Sequence, residues 1–470
     1  MTSAKKKTIS KAARLLTTAL DQCELWHSDD GIGYMTVHVG DHAEHWRIGS
    51  AMTARWLGAA YLQAHADIIP AANIKSVQDI LEYNAQQGNH RKTWRRVARL
   101  DDTIYLDTGD RKWQCVKITA DGWDIIKSPP VKFVRSANTG ELPMPEHGGT
   151  LDELRDIVSP KSDYNWAMMR GWLLDTMKGS KPFIVLAAHG IEGSAKSFAC
   201  SLLRTIIDPV KKAPLSHLPA DTQELAIMAQ HDHILAFDNV SHINQQTADN
   251  LSKLATGSGF KARALYTNDE QYISDRACPL ILNGIPQTVE SSDLLSRSIV
   301  LELPAIAEDE RRTERDLAAQ YEAMRGRVLG GLLDLVASGL RNQPTTKLER
   351  LPRMADSVHW ITSCVGNSFI EAWATNEQEV SQCGLDSSPT ARAILSMFGG
   401  DRTAWEGTMM ELLELVNQSV GYAERGRDYP TDAKMMGKRL KRDQPLLVQA
   451  GLRILSTRTA NKRMVKIERA

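Results

Sequence analysis

A glycine-containing segment, residues 190–197, limits the possible folds more than any other part of the sequence. It reads Gly-Ile-Glu-Gly-Ser-Ala-Lys-Ser, between an apolar run at 182–188 typical of a strand and a run at 196–204 typical of a helix. This composition in this position predicts a loop whose backbone N–H groups surround a phosphate chain. The alternative is a glycine-rich turn between a strand and a helix that binds no ligand.

Each part of this loop has a predicted role in holding a nucleotide and its metal ion. Gly190 and Gly193 permit the tight backbone, Lys196 reaches the β and γ phosphate oxygens, and Ser197 supplies a hydroxyl for Mg²⁺. ATP and Mg²⁺ are therefore the predicted cofactors. The residues predicted to bind the nucleotide are Gly190, Gly193, Ser194, Ala195, Lys196 and Ser197.

Ala195 departs from the usual pattern, which has Gly before the Lys. We expect Ala195 to open the following helix with helical dihedral angles, and Ala forms helices better than Gly does. On this interpretation the substitution is tolerated.

Length and composition place the chain among globular proteins. With 470 residues it can hold roughly three domains. No run of about 18 apolar residues occurs, so we expect no membrane span. The basic N-terminus has no apolar signal core after it, which favours a short disordered start in a cytoplasmic protein. The six cysteines include no Cys-x-x-Cys pair, so neither a zinc ribbon nor a disulfide framework is indicated.

Charge is balanced overall but concentrated at the C-terminus. Residues 425–470 contain eight Arg and five Lys against three Asp and one Glu, a net charge of +9 within a chain of net charge zero. A local excess of this size indicates nucleic-acid binding, the alternative being a solvated basic tail.

The chain divides into five predicted regions. Residues 1–128 are predicted as an α+β domain, the proline- and glycine-containing stretch 129–150 as a linker, and 151–305 as an α/β core with alternating strand and helix patterns. Residues 306–400 have helical patterns, and 401–470 return to helix, helix and two short strands.

An acidic strand end supplies the expected partner of the phosphate-binding loop. Residues 233–239 end an apolar run with Asp238, which would complete the Mg²⁺ site. The next residue is Asn239, where many such ATPases have a Glu that orients the attacking water. Because Asn cannot accept a proton, either hydrolysis is slow, another carboxylate contributes, or positioning alone suffices.

Two further polar residues follow later strands. Asn283 ends the apolar run 279–283 and is predicted to sense the γ-phosphate, although an Asn before Gly is by itself more often a turn residue. Arg297 lies just before the strand-like run 298–303, where it suits an arginine finger that reaches the ATP site of a neighbouring copy. The alternative is a surface arginine in a salt bridge.

Two segments are predicted to bind DNA. Residues 256–269 resemble a β-hairpin in which Lys261 and Arg263, two apart, lie on one face. At the C-terminus, helix 406–420, helix 431–442 and a hairpin at 452–467 follow the order of a winged helix. The residues expected to contact duplex phosphates there are Lys438, Lys441, Arg442 and Lys462. A plain surface hairpin and an oligomer contact are the respective alternatives.

These motifs resemble known ATPases. Ala-Lys-Ser in the loop and Leu-Leu-Ser-Arg before the strand resemble minichromosome-maintenance helicases, and 256–266 with 282–286 resemble superfamily-three helicases. The segments 235–241, 263–267, 283–286 and 353–356 are similar to AAA+ ATPases of phages and integrative elements related to the poxvirus primase-helicase.

The resemblance implies an α/β fold with an AAA+ P-loop ATPase core, a helical lid over 306–400 and a C-terminal winged helix. It further implies a hexameric ring that hydrolyses ATP and moves along DNA during replication of a mobile element. A primase would be a separate chain, since no primase signature is present. The alternatives are an ATP-switched initiator or loader that does not unwind DNA, a non-enzymatic DNA-binding regulator, and an ATPase of a defence system.

Overall fold

The computed structural model describes residues 9–241, 243–263, 271–274, 276–284, 292–425, 429–458 and 463–470, with the backbone alone at 260–263, 271–274, 292, 423, 457–458 and 463. Up to residue 133 its elements are α1 (Lys11–Gln22), β1 (Cys23–His27), β2 (Gly33–Val39), β3 (His42–Arg47), α2 (Ala51–His65), α3 (Ala71–Gln86), β4 (Asn89–His90), β5 (Thr93–Trp94), β6 (Val97–Leu100), β7 (Thr103–Asp107), β8 (Cys115–Thr119), β9 (Gly122–Ile126) and β10 (Lys132–Phe133).

Residues 9–90 form an N-terminal unit with its own core. Its sheet has the strand order β3-β2-β1-β4, and α1, α2 and α3 pack against it. Ser10 and Ser50 cap the first two helices by accepting a hydrogen bond from a backbone N–H of the first turn. The buried side chains include Leu15, Met35, Ile48, Leu57, Val77 and Leu81.

In the part of the chain that the structure describes, the antiparallel sheet β6-β7-β8-β9 packs against the central part of the chain and not against the N-terminal unit. Its buried side chains, such as Ile104 and Val116, belong to the same core as the central part of the chain. The Trp123 indole N–H donates a 2.8 Å hydrogen bond to Asp334, more than 200 positions later. The region that the sequence predicts as one α+β domain therefore contributes to three hydrophobic clusters: its own, that of the central region, and a smaller one that includes Ala98, Tyr105 and Cys115.

The central region, up to residue 302, contains a 3₁₀ turn (Leu151–Leu154), α4 (Arg155–Val158), α5 (Asp163–Met177), β11 (Val185–His189), α6 (Lys196–Ile207), α7 (Thr222–His231), β12 (Leu235–Val240), α8 (Gln245–Thr256), β13 (Phe260–Arg263), β14 (Gln271–Ser274), β15 (Leu280–Gly284), α9 (Ser292–Leu295) and β16 (Ser298–Glu302). Four strands of this region are parallel, in the order β12-β15-β11-β16. They are almost continuously apolar and buried, as is usual for a parallel sheet with both faces covered. The predicted α/β character is confirmed, and the carboxyl ends of all four strands lie at one edge.

The remaining elements are α10 (Glu314–Asn342), α11 (Ala355–Val365), α12 (Ser368–Asp386), α13 (Pro389–Ser396), β17 (Ala404–Gly407), α14 (Met409–Ser419), α15 (Ala433–Gln449), β18 (Leu452–Arg458) and β19 (Arg463–Arg469). Helices α13, α14 and α15 share a core with the sheet β17-β19-β18. The sequence predicts that a helix begins at residue 406 and that two strands follow later. The predicted start of the helix is wrong. Residues 404–407 pair with β19, and α14 begins later because Thr408 and Glu411 form a capping box.

The stretch predicted as a linker lies against α10. The Glu146 backbone N–H donates a 2.9 Å hydrogen bond to the Gly326 carbonyl. A Cβ at Gly330 would lie 1.8 Å from the Glu146 carbonyl oxygen, and a Cβ at Gly149 would lie 2.0 Å from that of Arg327. Only glycine at these positions allows the two backbones to approach so closely.

Among the described residues, none of the helices combines the length and the apolar character that crossing a bilayer requires.

Candidate functional site

The loop that the sequence predicts to bind phosphate connects β11 to α6 at the carboxyl edge of the central sheet. A Cβ at Gly190 would lie 2.4 Å from the Leu303 carbonyl oxygen, and Gly193 has a φ of +80°. Both positions therefore need glycine, one for close approach and one for backbone conformation. The loop is anchored to β16 by a 2.8 Å hydrogen bond from the Leu303 N–H to the His189 carbonyl.

Ala195 does not have the helical dihedral angles expected from the sequence. Its φ of 52° and ψ of 29° lie in the left-handed region, and it precedes α6 as the N-cap residue. Our expectation that Ala fits here because it forms helices well is wrong. The position favours Gly, and Ala occupies it at a cost of roughly 1 kcal/mol.

The Lys196 ammonium is folded back over the loop. It donates hydrogen bonds of 2.9 Å to the Gly190 carbonyl and 2.8 Å to the Ile191 carbonyl, and it lies 3.4 Å from the buried Ser194 hydroxyl. A phosphate oxygen in the loop would offer this cation a charged acceptor in place of neutral carbonyls, and charge-assisted hydrogen bonds are stronger.

Ser197, Asp238 and Asn283 meet beside the loop. The Ser197 hydroxyl donates a 3.0 Å hydrogen bond to the Asp238 carboxylate. The Asn283 amide donates to the same carboxylate and, at 3.0 Å, to the Ser197 hydroxyl. Asn283 is 1% exposed, and among the described residues its amide oxygen has no hydrogen-bond partner. The sequence predicts this convergence, because carboxyl ends of parallel strands share an edge.

This donor set fits a magnesium ion that arrives with a nucleotide. Mg²⁺ commonly takes one or two carboxylates together with phosphates and waters rather than an all-protein cage. Asp238 and Ser197 offer two adjacent oxygens of that kind. Within the described ranges no cluster of three or more His, Cys, Asp or Glu side chains suits a metal, so phosphate oxygens and waters would have to complete the coordination.

Asn239 is exposed and lies where β12 leaves its regular pairing with β15. Its φ is 53°, a left-handed conformation that Asn tolerates better than most residues. The Asn239 backbone N–H donates a 3.0 Å hydrogen bond to the Asp238 carboxylate and so helps to fix that side chain.

Arg297 is paired with an acid of its own short helix. Its guanidinium donates hydrogen bonds of 3.3 and 3.2 Å to the Asp293 carboxylate, which also pairs with Arg353. Burial raises the pKa of Asp293, but the two guanidiniums outweigh this and hold it below its ordinary value. Arg353 was not predicted as a site residue, although it opens the 353–356 segment that carries part of the family resemblance.

Arg311 is a second residue that the sequence reasoning missed. One of its guanidinium nitrogens lies 3.8 Å from where a Cβ on Gly193 would be, so this arginine approaches the loop from the same chain. Its side chain donates to the Ile306 carbonyl at 3.4 Å, and it makes no ion pair with any residue that the structure describes. Only its position 14 residues after Arg297 was visible in the sequence, and that spacing carries no signal.

The predicted DNA-binding residues are described unevenly. The backbones of β13 and β14 pair as an antiparallel hairpin, with Lys261 opposite Ile273 and Arg263 opposite Gln271. The side chains of Lys261 and Arg263, and all of Lys462, lie outside the described residues. Lys438 and Lys441 are exposed on α15, whereas Arg442 is half-buried.

Two family models match the chain. Residues 151–376 match the model described as "Actinomycete integrative conjugative element replication protein", and residues 390–470 match the one described as "AICE RepA C-terminal domain". Together they cover roughly two thirds of the sequence. The chain belongs to this family of replication proteins. The predicted role in replication of a mobile element is thereby confirmed, while the helicase activity, the ring and the residue roles stay predictions.

Solved structures of the NrS-1 C terminal region resemble the chain weakly. One apo structure is 10% identical, covers 97% of this chain and 99% of its own, and has a TM-score of 0.41. A second, of residues 305–718, is 13% identical, covers 99% and 100%, and has a TM-score of 0.39. Scores below 0.5 are too low to support an argument about this replication protein. None of the curated proteins matches it significantly.

Proposed function

We propose that this replication protein is a DNA helicase driven by hydrolysis of Mg-ATP, and that its copies act as a ring. The observation that carries the proposal is the meeting of Ser197, Asp238 and Asn283 within hydrogen-bond distance, beside a loop that contains Lys196. A nucleotide triphosphate with its metal needs these groups at one place: a lysine, a hydroxyl, a carboxylate and a polar amide.

Each group would have a distinct task. The loop N–H groups and Lys196 would hold the β and γ phosphates, and Arg311 lies near enough to Gly193 to add a second cation from the same chain. Ser197 and Asp238 would hold Mg²⁺, which when bound supplies positive charge to the phosphate oxygens. The buried amide oxygen of Asn283, without a partner among the described residues, would accept a hydrogen bond from the attacking water and orient it.

Neither Asn239 nor Asn283 can take a proton from that water. Because phosphoryl transfer depends mainly on positioning and on charge stabilisation, turnover does not require a strong base. We expect slow hydrolysis by the free protein and faster hydrolysis when DNA and neighbouring copies complete the site. Arg297 of the neighbouring copy would supply the transition-state cation.

DNA would be held at two places. The hairpin β13–β14, with Lys261 and Arg263 on one face, suits a single strand in the channel of the ring. The C-terminal unit has the element order of a winged helix, with Lys438 and Lys441 exposed on α15, and suits duplex phosphates.

The test is ATP turnover with and without DNA, together with strand displacement on a forked duplex. We expect DNA to stimulate turnover in the wild-type protein, and Lys196→Ala to abolish turnover and unwinding. The matched control is Lys347→Ala, which removes an exposed lysine far along the chain. Turnover that persists in Lys196→Ala would rule the proposal out.

A second candidate is an ATP-switched initiator that binds DNA without unwinding it. It is favoured by Asn239, which stands where a proton-accepting residue would speed hydrolysis. The same experiment separates the two functions, because the switch predicts nucleotide-dependent DNA binding and no strand displacement under any condition.

A further inference from the structure

A cavity of about 690 Å³ lies where the N-terminal unit and the segment around β5 and β6 meet the amino ends of the central strands. Its cationic and aromatic lining includes Lys92, Trp94, Arg95, Arg99, Lys181 and Arg276. The first four come from the segment around β5 and β6, whereas Lys181 and Arg276 come from the central region. The cavity is therefore a seam between two parts of the fold that presents basic side chains from both.

The cavity lies at the opposite edge of the sheet from the nucleotide site. Phe183, His233 and Cys278 line it, and each precedes a parallel strand, β11, β12 and β15, by two residues. The amino ends of these strands therefore border the cavity, while Ser197 and Asp238 lie at the carboxyl edge of the sheet. A ligand bound here would not compete with ATP for space.

Positive charge dominates this seam. Three acids, Asp29, Asp30 and Asp232, line it against five Lys and Arg side chains; Asp232 pairs with Arg204 at 3.0 Å and Asp29 pairs with His90 at 2.5 Å. Lys92 makes no ion pair with any described residue, and its ammonium lies 4.2 Å from the centre of the Trp94 ring. Burial, and then the nearby charges of Lys181 and Arg276, lower the pKa of Lys92 against the opposing effect of Asp29.

The seam also adjoins the predicted DNA-binding hairpin. Arg276 follows the end of β14 by two residues, and its guanidinium donates to the Thr93 carbonyl and hydroxyl at 3.3 and 3.0 Å. β13 lies next to α7, whose Gln230 carbonyl accepts from both Arg95 and Arg276. The base of the hairpin is thus tied to the segment that carries Lys92 and Trp94.

We propose that this seam binds single-stranded DNA, with Lys92 and Lys181 contacting the phosphate backbone and Trp94 stacking on a base, and that the strand continues to the hairpin. Sites for single strands combine a basic groove with aromatic side chains, because every base has a face that can stack, and the half-buried Trp94 lines the seam. The part of the inference that leads the strand on to the hairpin rests on the proposed function. The binding itself does not require ATP hydrolysis.

The test is fluorescence anisotropy with a labelled oligothymidylate, without nucleotide, over a range of salt concentrations. We expect Lys92→Glu combined with Lys181→Glu to raise the Kd at least about tenfold. The matched control is Lys75→Glu, an exposed lysine of the N-terminal unit that pairs with Asp79 at 2.9 Å. Because each lost phosphate contact removes about 0.7 from the salt slope on single strands, Lys92→Gln with Lys181→Gln should lower it by about 1.4.

Two further measurements distinguish a specific site for single strands from general electrostatic attraction. Trp94→Ala should raise the Kd for the oligothymidylate about tenfold while binding of a labelled duplex stays unchanged. ATP turnover without DNA should be the same in all these variants, because the nucleotide site is at the other edge of the sheet. If the seam variants lose as much affinity for the duplex as for the oligothymidylate, the seam attracts DNA only by its general positive charge, and this result contradicts the proposal.

Failure of this inference is distinguishable from failure of the proposed function. If the seam variants bind the oligothymidylate as tightly as Lys75→Glu does, the cavity is only a contact between two parts of the fold, whatever the ATP turnover. The wild-type protein could turn over no ATP while the Lys92 variant loses the single-strand binding that the wild-type protein has. In that case the helicase proposal fails and the proposed binding site stands.

Discussion

The Ser197 hydroxyl donates a 3.0 Å hydrogen bond to the Asp238 carboxylate across 41 positions of sequence. The contact forms because Ser197 lies in the first turn of α6, after β11, and Asp238 lies where β12 leaves its pairing with β15. It places two oxygens suited to Mg²⁺ near Lys196.

Replacing Asp238 by Asn should raise the Mg²⁺ concentration needed for tight binding of an ATP analogue by about tenfold or more. The substitution keeps the shape of the side chain but removes the charge that attracts the ion. A fluorescent ATP analogue titrated at several Mg²⁺ concentrations measures the effect. Asp249→Asn is the control: this half-buried acid of α8 accepts a 2.7 Å hydrogen bond from Gln245, and its substitution should leave the Mg²⁺ requirement unchanged. An unchanged Mg²⁺ requirement in Asp238→Asn would remove this residue from the metal site.

Ala195→Gly should raise the free energy of unfolding by up to about 1.6 kcal/mol. The left-handed backbone costs Ala roughly 1–2 kcal/mol, and the greater freedom of Gly in the unfolded chain offsets about 0.4–1 of this. Urea denaturation checks the sign. Ala199→Gly, inside the same helix, should be destabilising by about 1 kcal/mol because Gly lacks the helix propensity of Ala. If both substitutions destabilise equally, the backbone at Ala195 is not strained.

Ala195 also shows which feature of the site could not be predicted from the sequence, namely the backbone conformation of a single loop residue. The strand, the loop and the polar strand ends were readable, because an apolar run followed by Asp238 or Asn283 has one plausible place in a parallel sheet. The dihedral angles of one loop residue depend on how the loop closes against Leu303, which has no local signature. The preference of a residue for helices was therefore the wrong guide at this position.

The partition of the chain was harder to predict for a similar reason. The α+β character of residues 1–128 was predictable, but the buried face of the sheet β6-β7-β8-β9 packs on α10, and the Trp123 indole N–H donates a hydrogen bond to Asp334. Periodicity reports which face of a strand is apolar, not which distant element covers it. The basic seam around Lys92 was missed in the same way, because its cations are scattered between residues 92 and 276.

Gly330→Ala should destabilise the protein by about 1–3 kcal/mol, because its Cβ would lie 1.8 Å from the Glu146 carbonyl oxygen and force α10 away from the preceding segment. Gly437→Ala is the matched control. It also lies inside a helix, but there a Cβ meets nothing closer than Met409 at 3.9 Å. That substitution should stabilise by roughly 0.5–1 kcal/mol through helix propensity. Urea unfolding of the two variants should therefore shift in opposite directions.

Acid should weaken the N-terminal unit through His45. This imidazole is 8% exposed and lies 3.0 Å from the Thr36 hydroxyl. Burial, together with Lys132 and Arg135, lowers its pKa from 6.5 to about 3. The unfolded chain takes up a proton below pH 6.5 that the folded chain refuses, so stability falls as the pH drops from 6.5 towards 3, by at most about 1.4 kcal/mol per pH unit. His45→Gln should flatten that slope, and His217→Gln, at an exposed site, should not.

Mixing two inactive variants tests whether Arg297 acts on a neighbouring copy. Arg297→Ala should lower ATP turnover by about 10³-fold or more, and Lys196→Ala should abolish it. In an equal mixture, about one quarter of the interfaces between neighbouring copies in a ring join an intact Lys196 site to an intact Arg297. Turnover should therefore recover on mixing, and it should stay absent when Lys196→Ala is mixed with the double variant. If Arg297 serves only to pair with Asp293 in its own chain, every copy in the first mixture keeps its defect and no activity returns.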